Sequence, residues 1–275
     1  MRRRDILIGL GSGATGLVLG PGAAAAAGIN VPSGPASLGA RLEASGAVVP
    51  GIPTRLGTAR TIWSVRTTAP LVALTFDDGP DPEFTPRILR ALEHAGVHAT
   101  FNVMGWNALQ HGNLLREIVS LGHEVGNHTW THQNLAFQST AQARAELQHG
   151  SSAIEQVINR PIRFFRPPRG VMTGSALAIS AELGYDLLLW SVTRGPDGGP
   201  GNPQEITEYV VDTVRPGDIL GLHDGVGRGT FKRNSAFGRG LVARREMEVQ
   251  ALPDILKRVA DKGLRFVTAT MLLEN

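Results

Sequence analysis

From residue 71 onward, the hydrophobic positions of this 275-residue chain fall into two alternating kinds of segment. Short runs that are dense in apolar residues predict buried strands, and longer stretches with an apolar face predict helices. The predicted strands are Leu71–Phe76, Ala99–Met104, Glu124–Asn127, Arg163–Arg166, Leu187–Val192, Ile219–His223 and Arg265–Thr268. The predicted helices are Phe84–His94, Leu114–Leu121, Thr140–Ile158, Ser175–Leu183, Gln204–Val214 and Glu248–Lys262. This alternation favours an α/β fold with a parallel sheet, which at this length closes like a barrel.

Two stretches interrupt the alternation, Thr193–Asn202 and Gly225–Gly240, and both are rich in glycine. Glycine and proline favour turns over regular structure, so we predict two exposed loops. Long loops in a compact domain often serve function.

The first 27 residues have the pattern of an export signal. Arg2-Arg3-Arg4 gives a positive start, a moderately apolar run follows, and alanines at 23–27 suit a cleavage site. The arginines resemble a twin-arginine signal, and an ordinary secretory signal or an uncleaved membrane tether are the alternatives. Residues 28–67 are rich in Gly, Pro, Ala and Ser, which predicts a linker or loosely packed arm.

Composition excludes several classes of chemistry. The chain has no cysteine, so disulfides, cysteine nucleophiles and thiolate metal sites are ruled out. The formal charge of +3 is too small an excess to indicate a nucleic-acid partner. A hydrophobic content of 42% allows a substantial core and therefore argues against a globally disordered chain.

Two neighbouring carboxylates, Asp77 and Asp78, follow the first predicted strand directly. Ligands bind at the carboxyl ends of parallel strands, so these side chains are candidates for a metal ligand and a proton acceptor. The alternative is an ordinary acidic turn, because aspartate and glycine are common turn residues.

His128 and His132 follow another predicted strand and are four residues apart. On a helical turn this spacing places both imidazoles on one face, where a divalent ion can bind. With Asp78 they would make a His₂Asp set with open positions, the form of a catalytic zinc site. A single histidine is more often structural, and the pairing is what favours a metal.

Two further motifs end predicted strands. In Arg166-Pro167-Pro168-Arg169 the prolines fix the backbone, so the amide of Arg169 would point in a defined direction. A surface turn with a solvated arginine is the alternative. His223 ends the apolar run that begins at Ile219, which makes it a candidate general acid or a buried structural histidine.

With these four motifs in this order, the chain resembles the polysaccharide deacetylase family, the NodB homology domain of carbohydrate esterase family 4. The resemblance covers about residues 68–272, and we assign the domain to 68–275. It implies a distorted (β/α) barrel of about seven parallel strands and a metal-dependent deacetylase of acetylated sugars. Asp78, His128 and His132 resemble the family's metal ligands, which usually hold one zinc ion.

The resemblance also implies roles for other residues. Asp77 resembles the catalytic base, Arg166 the residue that holds this base, and His223 the acid that protonates the leaving amine. The amide of Arg169 resembles an oxyanion donor. We expect the substrate-binding group to contain Arg169, Pro168, Trp190 and Leu222.

The sequence departs from the family pattern at three positions. Arg169 replaces the usual aromatic residue of the third motif. Thr193 stands where an aspartate is common, so His223 lacks its usual orienting carboxylate unless Asp197 or Asp224 serves. Gly221 replaces a leucine of the acetyl-methyl pocket, which predicts a larger or differently lined pocket.

Two functional hypotheses follow. The first is an exported, zinc-dependent deacetylase of an N-acetylglucosamine polymer such as peptidoglycan or a chitin-like glycan, with O-acetylated sugars or longer acyl groups as substrate variants. The second is a carbohydrate-binding protein on the same barrel whose activity has been lost with the fourth motif. For either, we expect a monomer without a stable membrane span once the signal has been cleaved.

Overall fold

A computed structural model of the protein describes residues 58–195, 201–227 and 233–275. The predicted export signal, most of the predicted arm and Asp197 lie outside these residues. The strands are β1 Thr61–Ile62, β2 Leu71–Asp77, β3 Thr100–Val103, β4 Glu124–Asn127, β5 Phe164–Phe165, β6 Asp186–Leu188, β7 Ile219–His223 and β8 Arg265–Val267. The helices are α1 Thr85–Ala95, α2 Gly105–Gln110, α3 Gly112–Ser120, α4 Thr140–Ile158, α5 Gly174–Leu183, α6 Pro203–Thr213, α7 Ala236–Asp261 and α8 Ala269–Leu273, with short 3₁₀ turns at Leu135–Phe137 and Pro168–Gly170.

Strand β2 is the centre of the sheet. All seven of its residues are buried, because parallel strands covered on both faces are apolar almost throughout. It pairs in parallel with β3 and β7, in a register that places Asp77 beside Asn102 and His223. The two catalytic candidates Asp77 and His223 therefore reach the same end of the sheet as direct neighbours.

The sheet curls into an incomplete barrel. Its order is β1-β6-β5-β4-β3-β2-β7, and β8 pairs with the first half of β2. A parallel bridge between Val192 and Leu220 joins the segment after β6 to β7, which brings the two sides of the sheet together. Because every named strand pair is parallel, the prediction of a distorted (β/α) barrel is confirmed.

The sheet begins earlier in the chain than the sequence predicted. The two residues of β1 pair with β6, and Ile62 is buried. The ordered elements of the domain therefore start at least seven residues before the predicted boundary at 68. A two-residue strand is too short to give a periodic signal, which explains why the sequence pattern did not reveal it.

Helix α4 has the bounds that the sequence predicted. Ser139 caps its first turn, since its hydroxyl accepts from the amide of Gln142 while the Gln142 side chain accepts from the amide of Ser139. This reciprocal pair is a capping box, which fixes where a helix starts. The C-terminus is at Asn159, which adopts a left-handed conformation with φ 52°.

Helix α7 is much longer than the sequence predicted. It begins at Ala236, inside the predicted loop, and runs for 26 residues instead of starting at Glu248. The hydroxyl of Ser235 accepts from the amide of Gly238 at 3.0 Å, which caps the first turn. Gly238 and Gly240 obscured this start, because glycine disfavours the helix interior. The added turns form one wall of the cavity described below.

The helices pack around the sheet and bury its outer face. The largest apolar cluster includes Val72, Leu74 and Phe76 of β2 together with Leu252 and Ile255 of α7. In the part of the chain that the structure describes, no helix combines the length and the apolar character needed to cross a membrane.

Candidate active site

A cavity of about 480 Å³ opens at the carboxyl ends of β2, β4 and β7. Asp77, Asp78, His128, His132 and His223 all line it. The structure thus brings together five of the residues that the sequence singled out for chemistry. They come from three separate segments of the chain, whose strands end at one edge of the sheet.

Asp77 and Asp78 are consecutive, yet both face this cavity. Successive side chains of a strand point to opposite faces, so one residue must leave the strand conformation. Asp78 does so with φ 80°, a left-handed conformation that is uncommon outside glycine. Only 5% of Asp77 and 3% of Asp78 is exposed, so both carboxylates act in a setting with little solvent.

The segment that carries the two histidines is a strained turn. The prediction of a helical turn is wrong, because Thr129 and His132 adopt left-handed φ values of 68° and 61°. Side chains hold this shape: the amide of Thr129 donates to Asn127 Oδ1 at 2.9 Å, and the amide of His132 donates to Thr129 Oγ1 at 3.0 Å. The rings of His128 and His132 nevertheless approach to 5.0 Å between centroids.

Asp78, His128 and His132 form a candidate metal centre. One ligand atom from each lies within 4.8 Å of the other two. Asp78 Oδ1 is 3.5 Å from His128 Nε2 and 3.2 Å from His132 Nε2, and it has no hydrogen-bond donor among the described residues. A buried carboxylate oxygen without a donor is costly, and a cation in this position would satisfy it.

The orientation of His128 also suits a metal ligand. Its Nδ1 lies 2.7 Å from the carbonyl oxygen of Arg166, so the ring donates there and leaves Nε2 with a lone pair for the ion. Burial lowers the pKa of His132 to about 4, which keeps that ring neutral, as a ligand must be. Three ligands of this kind with open positions are typical of catalytic zinc sites, and they fit a divalent ion.

Asp77 is held by a buried arginine. Arg166 Nη1 donates to Asp77 Oδ1 at 2.7 Å, and Asn102 Nδ2 donates to the same oxygen at 2.8 Å. Burial acts to raise the pKa of Asp77, but the charges of Arg166, His128 and His223 outweigh it and hold the pKa below its usual value. The carboxylate is therefore ionised and can accept a proton.

Arg166 is fully buried and its position is fixed by other partners. Its guanidinium donates to the carbonyl oxygens of Leu188 and Leu189 and to Thr75 Oγ1. It does not line the cavity, and it reaches the chemistry through Asp77. The 3₁₀ turn that follows presents Arg169, with φ 60°, to the cavity, whereas Pro168 is buried and does not line it.

The carboxylate beside His223 is one that the sequence did not suggest. Glu248 Oε2 lies 3.1 Å from His223 Nδ1. Asp224 cannot serve, because its oxygens accept from the amide of Gly79 at 3.0 Å and from Thr85 Oγ1 at 2.7 Å. Asp197 lies outside the described residues. The only sequence signal for Glu248 was its place at the start of a predicted amphipathic helix.

A second unexpected residue, Arg245, bridges two carboxylates. It is 4% exposed, and its Nη2 donates to Asp78 Oδ2 at 3.0 Å while its Nη1 donates to Glu248 Oε1 at 3.1 Å. Its Nε donates to the carbonyl oxygen of Gly225 at 2.6 Å. Burial acts to raise the pKa of Asp78, but His132, His128 and Arg245 together hold it well below its usual value.

The pocket wall near Gly221 is lined by an indole. A Cβ at Gly221 would lie 3.2 Å from the Cβ and Cγ of Trp190, so Trp190 occupies the space that a side chain here would need. The Arg166 guanidinium lies over the same ring, 5.4 Å from its centroid. Leu222, which we expected to bind substrate, points into the core and does not line the cavity. The role of this wall in binding an acyl group stays a prediction, and the expectation for Leu222 is wrong because its side chain lies on the core side of the strand.

The mouth of the cavity is rich in arginine. Arg169, Arg194, Arg244 and Arg245 line it, against two carboxylates in the same lining. Arg194 lies 3.3 Å from Glu248, and no carboxylate pairs with Arg244 within the described ranges. Burial lowers the pKa of Arg194, and Arg245 and Arg244 lower it further, which reflects crowding of like charges.

Comparison with known proteins agrees with this geometry. The family model for polysaccharide deacetylase matches residues 64–188. A peptidoglycan-N-acetylglucosamine deacetylase of Bacillus cereus is 32% identical over 212 residues, which cover 77% of this chain and 92% of that protein. A chitooligosaccharide deacetylase of Sinorhizobium fredii is 35% identical over 205 residues, which cover 74% of this chain and 92% of that protein. The crystal structure of a peptidoglycan N-acetylglucosamine deacetylase matches with a TM-score of 0.68 and 31% identity, over 77% of this chain and 92% of that one.

The chain therefore belongs to the polysaccharide deacetylase family. Within that family it is a carbohydrate deacetylase with a candidate Asp-His-His centre for a divalent ion. The family and the enzyme class that the four motifs predicted are confirmed.

Proposed function

We propose that this protein is an exported, zinc-dependent deacetylase that hydrolyses N-acetyl groups of a cell-wall glycan. The observation that carries the proposal is the convergence of Asp78, His128 and His132 beside an ionised Asp77. A carbohydrate-binding protein without activity would have no need for a buried carboxylate held ready beside a metal centre.

Asp78, His128 and His132 would hold the ion. When bound, a zinc ion supplies Lewis-acid chemistry, since it polarises a carbonyl group and lowers the pKa of water toward ~7. Zinc is the ion we propose because two imidazoles and one carboxylate, with positions left open, match its catalytic coordination.

Asp77 acts as the general base. It accepts a proton from the attacking water as the water oxygen forms its bond to the amide carbon. Arg166 and Asn102, both bonded to Asp77 Oδ1, leave its Oδ2 for this proton. Arg166 is thus a positioning residue that restrains the base and keeps it ionised.

His223 supplies the second proton transfer. As the bond between carbon and nitrogen breaks, its imidazolium gives a proton to the departing nitrogen, so the products are acetate and a free amine. The backbone amide of Arg169 donates to the oxyanion that develops on the carbonyl oxygen. Each group acts from the wall of the same cavity.

The arginines of the mouth favour an acidic glycan. Arg169, Arg194 and Arg244 would attract carboxylates, which peptidoglycan carries on its peptide parts. Relatives named as peptidoglycan-N-acetylglucosamine deacetylases support this choice. A chitooligosaccharide is the second candidate, because another relative is named for it. The arginines favour the acidic glycan over it, because a neutral oligomer adds no negative charge for the positive mouth to attract.

Export is part of the proposal and depends on the first 27 residues. Three consecutive arginines, an apolar run and small residues form the pattern of a signal. A cell-wall substrate requires a protein that reaches the envelope. We propose a monomer in a periplasmic, cell-envelope or extracellular location.

Acetate release tests the proposal. The purified protein is incubated with peptidoglycan and with N-acetylglucosamine oligomers, before and after removal of metal by a chelator and after return of zinc. We expect release that the chelator abolishes and zinc restores. Binding of the glycan without acetate release, with zinc present, would instead establish the carbohydrate-binding alternative.

A further inference from the structure

Glu248 has contacts that go beyond packing. The residue is 2% exposed, and its side chain extends from α7 to the carboxyl end of β7. Its Oε2 accepts from the backbone amide of His223 at 2.8 Å and lies 3.1 Å from Nδ1 of the same residue. One carboxylate oxygen therefore fixes both the backbone and the ring of His223.

The other oxygen of Glu248 is held by cations. Arg245 Nη1 lies 3.1 Å and Arg194 Nη1 3.3 Å from Oε1. Burial acts to raise the pKa of Glu248, but His223, Arg245 and Arg194 outweigh it and lower the pKa to about 2. The carboxylate is therefore ionised near neutral pH, with Oε2 bonded to His223 and Oε1 bonded to the two arginines.

We propose that Glu248 is the positioning residue for the acid His223. Arg245 holds Glu248 in place and also binds Asp78, the proposed metal ligand. This role rests on the proposed function. A carboxylate at Nδ1 selects the ring form that carries a proton on Nδ1, so that Nε2 is directed into the cavity toward the leaving nitrogen. Helix α7 thus supplies the carboxylate for His223. Thr193, in the segment after β6, has no carboxylate to offer.

The other candidates for this role are engaged elsewhere. The hydroxyl of Thr193 donates to the carbonyl oxygen of Gly195 at 3.0 Å, and a hydroxyl carries no charge. Asp224 follows the end of β7 and does not line the cavity, and its two oxygens accept from Gly79 and Thr85. In the described part of the chain, Glu248 is the carboxylate within hydrogen-bond distance of His223.

A change of leaving group tests the role. Hydrolysis of an N-acetyl sugar expels an amine, which requires the proton from His223. Hydrolysis of 4-nitrophenyl acetate expels a phenolate, which leaves without a proton. For the zinc-loaded Glu248→Gln variant we expect kcat for the N-acetyl substrate to fall about 100-fold, as for loss of general acid catalysis, with less than about a 3-fold change for the ester. Zinc content, measured by metal analysis, should stay at the wild-type level.

Glu246→Gln is the matched control, because Glu246 lies on the same helix and pairs with Arg87 away from the cavity. This variant should keep both activities. A parallel loss of both activities in Glu248→Gln, or full retention of N-acetyl hydrolysis, would overturn the role of Glu248 while the proposed function stands. A wild-type protein that is inert toward both substrates would overturn the proposed function, and this role with it.

A measurement on the unmutated protein guards against misfolding of the variant. Nitrogen-15 NMR of labelled histidine reports which ring nitrogen carries the proton, and the His223 signal is assigned by its loss in His223→Gln. We expect neutral His223 to carry the proton on Nδ1. A neutral form with the proton on Nε2 would refute the proposed contact with Glu248.

Discussion

Asp77 and Arg166 form a buried ion pair, with 2.7 Å between Oδ1 and Nη1, at the base of the cavity. The arginine is fully buried, and its guanidinium also donates to the carbonyl oxygens of Leu188 and Leu189 and to Thr75 Oγ1, so the pair cannot reorient freely. Oδ1 of Asp77 thus accepts from Arg166 and Asn102, and Oδ2 is left for the cavity.

Replacement of the base should separate metal binding from turnover. For Asp77→Asn we expect kcat for acetate release to fall by at least about 100-fold, because the amide cannot accept the proton from water. Zinc content should be unchanged, since Asp77 is not in the ligand set. Asp254→Asn, an exposed site on α7, serves as the control. Activity near the wild-type level in Asp77→Asn would refute the base assignment.

Loss of one imidazole should empty the metal centre. In His132→Ala we expect the dissociation constant for zinc to rise by more than about 100-fold, because a direct ligand contributes more than its outer partners do. Titration of the chelated protein with zinc, followed by calorimetry, measures this constant. His94→Ala removes an exposed histidine from α1 and should bind zinc like the wild type. Equal affinities in the two variants would mean that His132 does not hold the ion.

A side chain at Gly221 should displace the indole that lines the pocket. In Gly221→Leu the new Cβ meets Trp190 at 3.2 Å, and overpacking of this kind costs about 1–3 kcal/mol of unfolding free energy. Urea denaturation measures the cost. Gly240→Leu, where a Cβ would meet nothing within 4 Å, is the control. If both variants unfold at the same urea concentration, Trp190 does not pack against Gly221.

The arginine-rich mouth should favour acidic substrates. In Arg244→Gln we expect the ratio of kcat/KM for peptidoglycan fragments to that for neutral N-acetylglucosamine oligomers to fall about 2- to 5-fold, the range for an exposed charge contact. The preference of the wild type should also weaken as salt is added, because exposed charges are screened. Arg239→Gln changes an exposed arginine of the same helix that does not line the cavity. An unchanged ratio in Arg244→Gln would contradict the acidic-glycan proposal.

The anion Glu248 should make stability depend on pH. Its pKa is about 2 in the folded protein against an ordinary value of 4.5, so its ionised form stabilises the fold above about pH 5, and this contribution is lost as the pH falls toward 2. Glutamine does not titrate. The free energy of unfolding of Glu248→Gln should therefore lie below that of the wild type by on the order of 3 kcal/mol at pH 6, the cost of breaking a buried pair. Urea denaturation at pH 6, 4 and 3 should show the gap closing.

A gap that stays constant between pH 6 and pH 3 would mean that Glu248 is not held as an anion. Glu246→Gln provides the comparison, because Glu246 also has its pKa lowered to about 2 but is a third exposed. Solvent screens such a pair, so its effect on stability should be small at every pH.

The sequence predicted those features that depend on local pattern. The apolar run of β2 and the helical pattern of α4 each specify structure locally, and both predicted elements were confirmed. The residues of the candidate metal centre were predictable as a group because each motif ends a strand, and parallel strands bring their ends together. Their exact backbone, such as the left-handed His132, was not predictable, because it depends on side-chain bonds within the turn.

The features that were missed depend on contacts between distant segments. Glu248 and Arg245 meet His223 and Asp78 only after α7 folds back over the mouth of the sheet, and helical periodicity does not reveal what lies above a helix. The start of α7 was missed because Gly238 and Gly240 lie in its first turns, and glycine disfavours a helix. The expectation that Leu222 binds substrate was wrong for a simpler reason. Successive residues of a strand face opposite sides, and Gly221 is on the side of the cavity while Leu222 is on the side of the core.

Helix α7 contributes residues both to the main hydrophobic core and to the wall of the cavity. Its residues Leu252 and Ile255 belong to the main core, while Glu248 and Arg245, one to two turns earlier, contact His223 and Asp78. A substitution that shifts or rotates this helix would therefore change the stability of the fold and the catalytic rate together. Laboratory evolution toward a new acyl group should therefore find its first accessible solutions in the loops and at Trp190, and only later along this helix.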